Sequence, residues 1–186
     1  MLRYDSFLDK EVLSLFAEES KRNQISELEL SSENYSINVD KIIEILDLEL
    51  KTTKLDIHSG KFDSEQNIIY VNTDESEVRQ RFTKAHELGH YVYKHGESAR
   101  LIDSSFYNII ERRKETEANR FAVDLLMPVK LIYKLISEYE KTKFVSKDEY
   151  LESDPEDLIN YLASCMEVST QSMKYRLLNL NIINEI

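Results

Sequence analysis

His86-Glu87-Leu88-Gly89-His90 reads H-E-x-x-H, and this stretch decides what the rest of the chain has to build. Residues four apart lie on one face of an α-helix, so His86 and His90 can offer two imidazole nitrogens to one metal ion. Glu87 then sits beside that face, where it can hold and deprotonate water. A catalytic zinc takes three protein ligands and keeps one position open, so a third ligand has to come from elsewhere in the chain. Histidine is scarce, four in 186 residues, and two fall at the required spacing. The flanks suit a helix: Asp74 and Glu77 resemble a capping pair, and Val78, Phe82, Ala85, Gly89 and Val92 recur as an apolar stripe.

Beyond His90 the helix is expected to run to about Lys94. Gly96 is suited to the left-handed cap, and His95 is placed to interact with the helix dipole. The longer pattern H-E-x-x-H-x-x-G-x-x-H is not met, since Tyr93 stands at its glycine and Gly96 at its third histidine. A mixed-charge loop over 97–105 precedes a helix predicted from Phe106 to Met127, and Pro128 opens another to about Glu140. The first of these carries Glu111, Glu115 and Glu117. A carboxylate facing the core needs a cation or a metal, and position alone puts Glu117 only modestly ahead of the other two.

On the N-terminal side, Ile68-Ile69-Tyr70-Val71-Asn72 is a short β-rich run, and an extended stretch leads to Ile57. Ser59-Gly60 is a turn signal. A small sheet is therefore expected directly before the H-E-x-x-H helix. Residues 6–20 carry the apolar pattern of a first helix. Residues 21–37 are polar, with Ser31, Ser32 and Asn34 marking a loop, and Asp40 can cap a short helix bearing Ile42, Ile43 and Ile45.

At the C-terminal end, Asp154-Pro155-Glu156-Asp157 starts a helix with Leu158, Ile159, Leu162 and Ala163, and Val168-Ser169 makes a turn. A last helix runs from Thr170 to about Leu180. The pair looks like half of a helix-turn-helix. From Ser146 onward three basic residues face eight acidic ones, whereas a DNA reader carries a basic recognition helix. A structural or partner-docking role is the expectation for this segment.

Composition agrees with a globular chain: 41 % apolar and 32 % charged residues, with three Gly and two Pro, favour long helices over turn-rich β architecture. The formal charge of −11 argues against non-specific binding to nucleic acid or an anionic membrane. The single cysteine, Cys165, allows no intramolecular disulfide and is expected as a buried thiol. No apolar run approaches the roughly 20 residues of a membrane span, and the N-terminus lacks the run of a signal peptide. The cytoplasm is the expected compartment.

The combination of HELGH with E-x-E-A-N-x-F-A-x-x-L-L-M-P, Glu115 through Pro128, resembles the ImmA/IrrE family of metallopeptidases over roughly residues 38–135. Arg79 through Ala85 and the strand 68–72 look like that family too. The resemblance implies an α+β, mostly α-helical fold, gluzincin-like, with a small sheet packed on the H-E-x-x-H helix and a C-terminal helical segment. It implies Zn2+ held by His86, His90 and Glu117, with Glu87 as general base. Tyr91, Tyr93, His95 and Arg100 are in range by sequence to stabilise an oxyanion. The implied organisation is an N-terminal helical extension over 1–37, a peptidase core over 38–145 and a helix-turn-helix-like segment over 146–186 packed on it. The implied function is a regulatory endopeptidase, an anti-repressor that cleaves a helix-turn-helix repressor encoded nearby. The alternative is a metal-binding module that sequesters a partner, as one half of a toxin–antitoxin or phage regulatory pair, without proteolysis.

Overall fold

The computed structural model describes residues 2–30, 35–95, 104–143 and 154–184, and over 104–108 it describes the backbone alone. In chain order come α1 Tyr4–Phe7, α2 Lys10–Ser14, α3 Glu19–Glu27, α4 Val39–Ile45, β1 Glu49–Thr53, β2 Gly60–Asp63 and β3 Ile68–Asn72. Then follow α5 Glu77–Val92, α6 Ser104–Leu126, α7 Val129–Lys143, α8 Pro155–Met166 and α9 Thr170–Asn179. The architecture is α+β and mostly helical, as expected.

The sheet has the order β1-β3-β2, with β3 central. β1 runs parallel to β3, and β2 returns antiparallel to it, pairing Gly60 with Val71 and Phe62 with Ile69. β3 is the apolar run Ile68–Asn72, and Ile68, Ile69 and Val71 are buried. Gly60 does not mark a turn; it is the first residue of a strand that the sequence hid. β2 has no apolar alternation, because it is an edge strand whose role is to lie against α5.

α5 begins two residues later than the capping pair suggests. Ser76, not Asp74, is its N-cap and accepts the Arg79 N–H at 3.4 Å. Val78 is exposed, whereas Thr83, Ala85, Glu87, Leu88 and Gly89 are buried, so the second half of the helix is enclosed from several sides. Its main partner is α6. A β-carbon added at Gly89 would stand 2.9 Å from the Ala118 Cα and 3.0 Å from its carbonyl oxygen, so a glycine on one helix and an alanine on the other let the two backbones meet.

The helix ends are closed without glycine. After α4, α5, α8 and α9 the residues Asp47, Lys94, Glu167 and Asn181 take positive φ, between 51° and 57°. Each is followed by an N–H that bonds back five residues, as His95 does to the His90 carbonyl at 3.0 Å. The left-handed residue after α5 is thus Lys94. Gly96 and Arg100, and the loop 97–103, lie outside the described residues.

Residues 21–37 depart from the polar-loop reading. Glu19–Glu27 is helical, and it buries Ile25 completely. The first predicted helix is broken into α1 and α2. Tyr4, Phe7, Leu8, Phe16 and Ile25 enter the same apolar core as Leu88, Phe121, Leu125, Leu135, Leu162 and Leu177. One side chain ties distant segments together. Arg81 of α5 donates to the Ile37 carbonyl at 2.8 Å and to the Met166 and Glu167 carbonyls at 2.9 and 3.0 Å. Cys165 is half-buried, and burial raises its thiol pKa, as suits an inert packing residue. On α9, Lys174 pairs with Glu156, and Arg176 with Asp124 and the Met127 carbonyl. Among the described residues no helix is long and apolar enough to cross a membrane.

Candidate metal centre

A cleft of about 580 Å³ opens where β2, α5 and α6 meet, and His86, Glu87, His90 and Glu115 line it. The helix α5 supplies His86 and His90 one turn apart. Their Nε2 atoms face each other at 3.1 Å. Glu115 of α6 completes the group, with Oε2 3.3 Å from His86 Nε2 and Oε1 3.4 Å from His90 Nε2. One atom from each residue lies within 4.8 Å of the other two.

The third group is therefore not the expected one. Glu117 stands on a different side of α6, where it accepts from Arg113 Nε at 2.9 Å and meets His95 Nε2 at 3.1 Å. Two residues along a helix turn the side chain by roughly 200°, so Glu115 and Glu117 cannot serve the same site. The contact between Gly89 and Ala118 sets the phase: Glu115 lies three residues before Ala118 and shares its face. The family resemblance implies the glutamate directly before Ala118-Asn119, which is Glu117, whereas helical phase relative to Ala118 and Ala122 points to Glu115.

The donor set fits a divalent metal. Asn119 Oδ1 lies 3.0 Å from His86 Nδ1 and accepts from it, which leaves Nε2 with a bare lone pair. Burial, before any other cause, lowers the pKa of His86, and it pushes His90 down to about 4 with help from His86 and His95. Both rings are thus neutral near pH 7, the state that ligates. Three ligand groups converge, the two Nε2 atoms 3.1 Å apart and each 3.3 or 3.4 Å from a Glu115 oxygen. A tetrahedron of ligands at the usual zinc distances has edges of about 3.3 Å. Bare acceptors so close to one another need a proton or a metal cation between them.

Glu87 is 7 % exposed, and burial pushes its carboxyl up to about 7. The backbone N–H of Phe62 on β2 pulls the other way by donating to it, and the charge of Glu115 adds to the rise. Gly60 makes room for this arrangement, because a β-carbon there would meet Thr83 Cγ2 at 2.3 Å and Glu87 Oε1 at 3.1 Å. Sequence reading missed Gly60, the Phe62 N–H, Asn119 and Lys114. Lys114 is a buried cation in the cleft wall, paired with Glu111 at 2.9 Å. Only Asn119 carried a local signal, four residues after Glu115 and so on its face.

A family model described as the IrrE N-terminal-like domain, Peptidase M78, matches residues 40–178. The radiation response metalloprotease IrrE of Deinococcus radiodurans is 32 % identical over 97 residues, covering 51 % of this chain and 30 % of that protein. The protein of the same name from Deinococcus deserti is 34 % identical over 85 residues, 45 % of this chain and 30 % of that one. An uncharacterized immunity region protein 2 of Bacillus phage phi105 is 28 % identical over 89 residues, 47 % of this chain and 52 % of that protein. The matched stretches thus span between about a third and a half of those relatives. A solved Mycobacterium tuberculosis transcriptional regulator superposes with a TM-score of 0.50 over 94 % of this chain and 49 % of that one. At 11 % identity, that likeness concerns the fold alone.

Proposed function

We propose, from the premise that this chain belongs to the IrrE N-terminal-like family of peptidases, that it is a zinc-dependent endopeptidase whose metal is held by His86, His90 and Glu115. The observation that carries this reading is the acceptor-only cluster of two neutral imidazoles and a carboxylate beside a buried glutamate. A bound divalent cation supplies Lewis acidity toward a carbonyl and acidifies water. The chain does the rest. Glu87, poised near neutrality and fixed by the Phe62 N–H, accepts the proton of the attacking water and returns it to the leaving amide nitrogen. Asn119 keeps His86 in the tautomer that presents Nε2.

The substrate we infer is a regulatory protein, a helix-turn-helix repressor encoded nearby, so that cleavage lifts repression. The name of the phage relative, an immunity region protein, supports a regulatory setting, and that of the Deinococcus relatives, metalloprotease, supports proteolysis. The cations of α9 are engaged within the fold, which supports a role for the C-terminal pair in packing rather than in DNA contact. The test is incubation of the zinc-loaded protein with the neighbouring repressor, followed by mass spectrometry of the products. Cleavage that disappears in Glu87→Gln, while one zinc per chain is retained, supports the proposal. An intact repressor that co-elutes with the protein would replace it with sequestration. Glu115→Gln should weaken zinc binding far more than Glu117→Gln; equal losses would refute the ligand set.

A further inference from the structure

His95 is the fourth histidine near the cleft, and the metal set does not use it. The left-handed Lys94 folds the chain back across the end of α5, and the His95 N–H closes on the His90 carbonyl at 3.0 Å. This turn brings His95 Nδ1 to 3.0 Å from His90 Nδ1. On its other side His95 Nε2 meets Glu117 Oε2 at 3.1 Å, and Glu117 is gripped by Arg113 at 2.9 Å. The His95 side chain is 8 % exposed and stacks on Tyr93 with ring centroids 5.4 Å apart.

We propose that His95 and Glu117 form a relay that positions His90, with His95 as the residue that fixes which nitrogen of His90 faces the cleft. The proton count permits one neutral arrangement that leaves the cleft free of ring protons. Glu117 is held as an anion by Arg113, so it accepts, and His95 carries its proton on Nε2 and donates it. His95 Nδ1 is then a bare acceptor and takes the Nδ1–H of His90. His90 Nε2 is left with its lone pair aimed at His86 Nε2 and Glu115. With Asn119 doing the same for His86, both ligand rings are held from behind. The carboxylate that partners one ligand ring therefore acts through a second histidine, and Glu117 acts on the metal set from outside it. His95 is a positioning residue; it makes no contact with the reacting atoms in this scheme.

This inference rests on the metal-site reading, and the experiment separates the two. Zinc affinity is measured by competition with a chromophoric chelator for the wild type, His95→Phe, His95→Asn and Glu117→Ala. Loss of a partner behind a ligand histidine lowers affinity about 10–100-fold. His95→Phe, which keeps ring bulk without an acceptor, should show that loss. His95→Asn can offer its side-chain oxygen where Nδ1 was, and should recover most of it. The independent readout is nitrogen NMR of histidine-labelled, zinc-loaded wild type. The relay requires His95 as its Nε2–H tautomer, with a scalar coupling between His95 Nδ1 and His90 Nδ1 across the hydrogen bond. His95 protonated on Nδ1, or unchanged zinc affinity in His95→Phe, overturns the relay and leaves the metal site standing. A wild type that binds no zinc overturns both.

Discussion

Gly89→Ala is the sharpest probe of how the two ligand-bearing helices meet. A methyl group at this position would stand 2.9 Å from the Ala118 Cα, 3.0 Å from the Ala118 oxygen and 3.2 Å from its Cβ. The first of these is about 0.6 Å short of the shortest ordinary carbon contact. Two of the three atoms are backbone, so no rotamer change relieves them, and α6 has to move off α5. Overpacking of this kind costs about 1–3 kcal/mol. Against it, alanine gains about 0.8–1.0 kcal/mol over glycine in a helix interior. The net expectation is a loss of roughly 0–2 kcal/mol, although a glycine-to-alanine change in a free helix would stabilise. The functional effect is separate from the stability effect. Glu115 rides on α6 and the two histidines on α5, and a site of this kind tolerates about 0.5 Å of displacement. Zinc affinity should therefore fall about tenfold or more, on the order of 1.4 kcal/mol. Urea unfolding in chelator gives the stability term, and chelator competition gives the affinity. A variant stabilised by about 1 kcal/mol with unchanged zinc affinity would refute the close approach. Adding Ala118→Gly removes only the Cβ contact and should rescue little; full rescue would also count against the reasoning.

Gly60→Ala puts a methyl group against Thr83 and Glu87 without touching a ligand, so hydrolysis should fall about 100-fold while zinc stays bound; loss of zinc would show that β2 does more than fix the base. Arg81→Ala removes three charge-assisted bonds to carbonyls, and urea unfolding should register a loss of about 3 kcal/mol, with less than 1 kcal/mol refuting the clamp. Tyr4 is buried, its oxygen accepts the Asn38 N–H at 2.8 Å, and burial raises its pKa above 10. Tyr4→Phe should thus cost about 1–3 kcal/mol at neutral pH by stranding that N–H. Above pH 10 the unfolded chain gives up the phenol proton before the folded one does, so folding holds more protons and wild-type stability falls with rising pH. The gap between the two proteins should then narrow above pH 10, and a gap that widens would reverse the sign of the argument.

The elements with a strong period were legible from the residues: β3, the body of α5, and α6 through α9 all stand within a few residues of where the pattern put them. So was the pair of histidines with Glu87 beside it. What escaped was set by tertiary context. β2 has no period of its own, since its residues answer to α5 rather than to a core face. α3 reads as polar because a single buried side chain, Ile25, anchors it. The helix-start signal at Asp74 lost to Ser76, two residues on, because both are competent caps and only packing chooses. The third group of the metal set depended on how α6 is rotated, and that rotation is fixed by the contact of Ala118 with a glycine 29 residues earlier. Glu117 does face a histidine, though the one behind the site.

The grip of Arg81 has a consequence for the order in which the molecule is made. Two of its three acceptors are the carbonyls of Met166 and Glu167, which leave the ribosome about 85 residues after Arg81 itself. Until then the helix bearing His86, five residues on, holds a cation with only the Ile37 carbonyl of its three acceptors in place. We expect a nascent chain to acquire an ordered cleft only once Glu167 has emerged, so that shorter nascent chains do not hold the metal. Zinc-dependent protection of chains stalled ahead of Met166 would contradict this; protection that begins only with longer chains is the expected result.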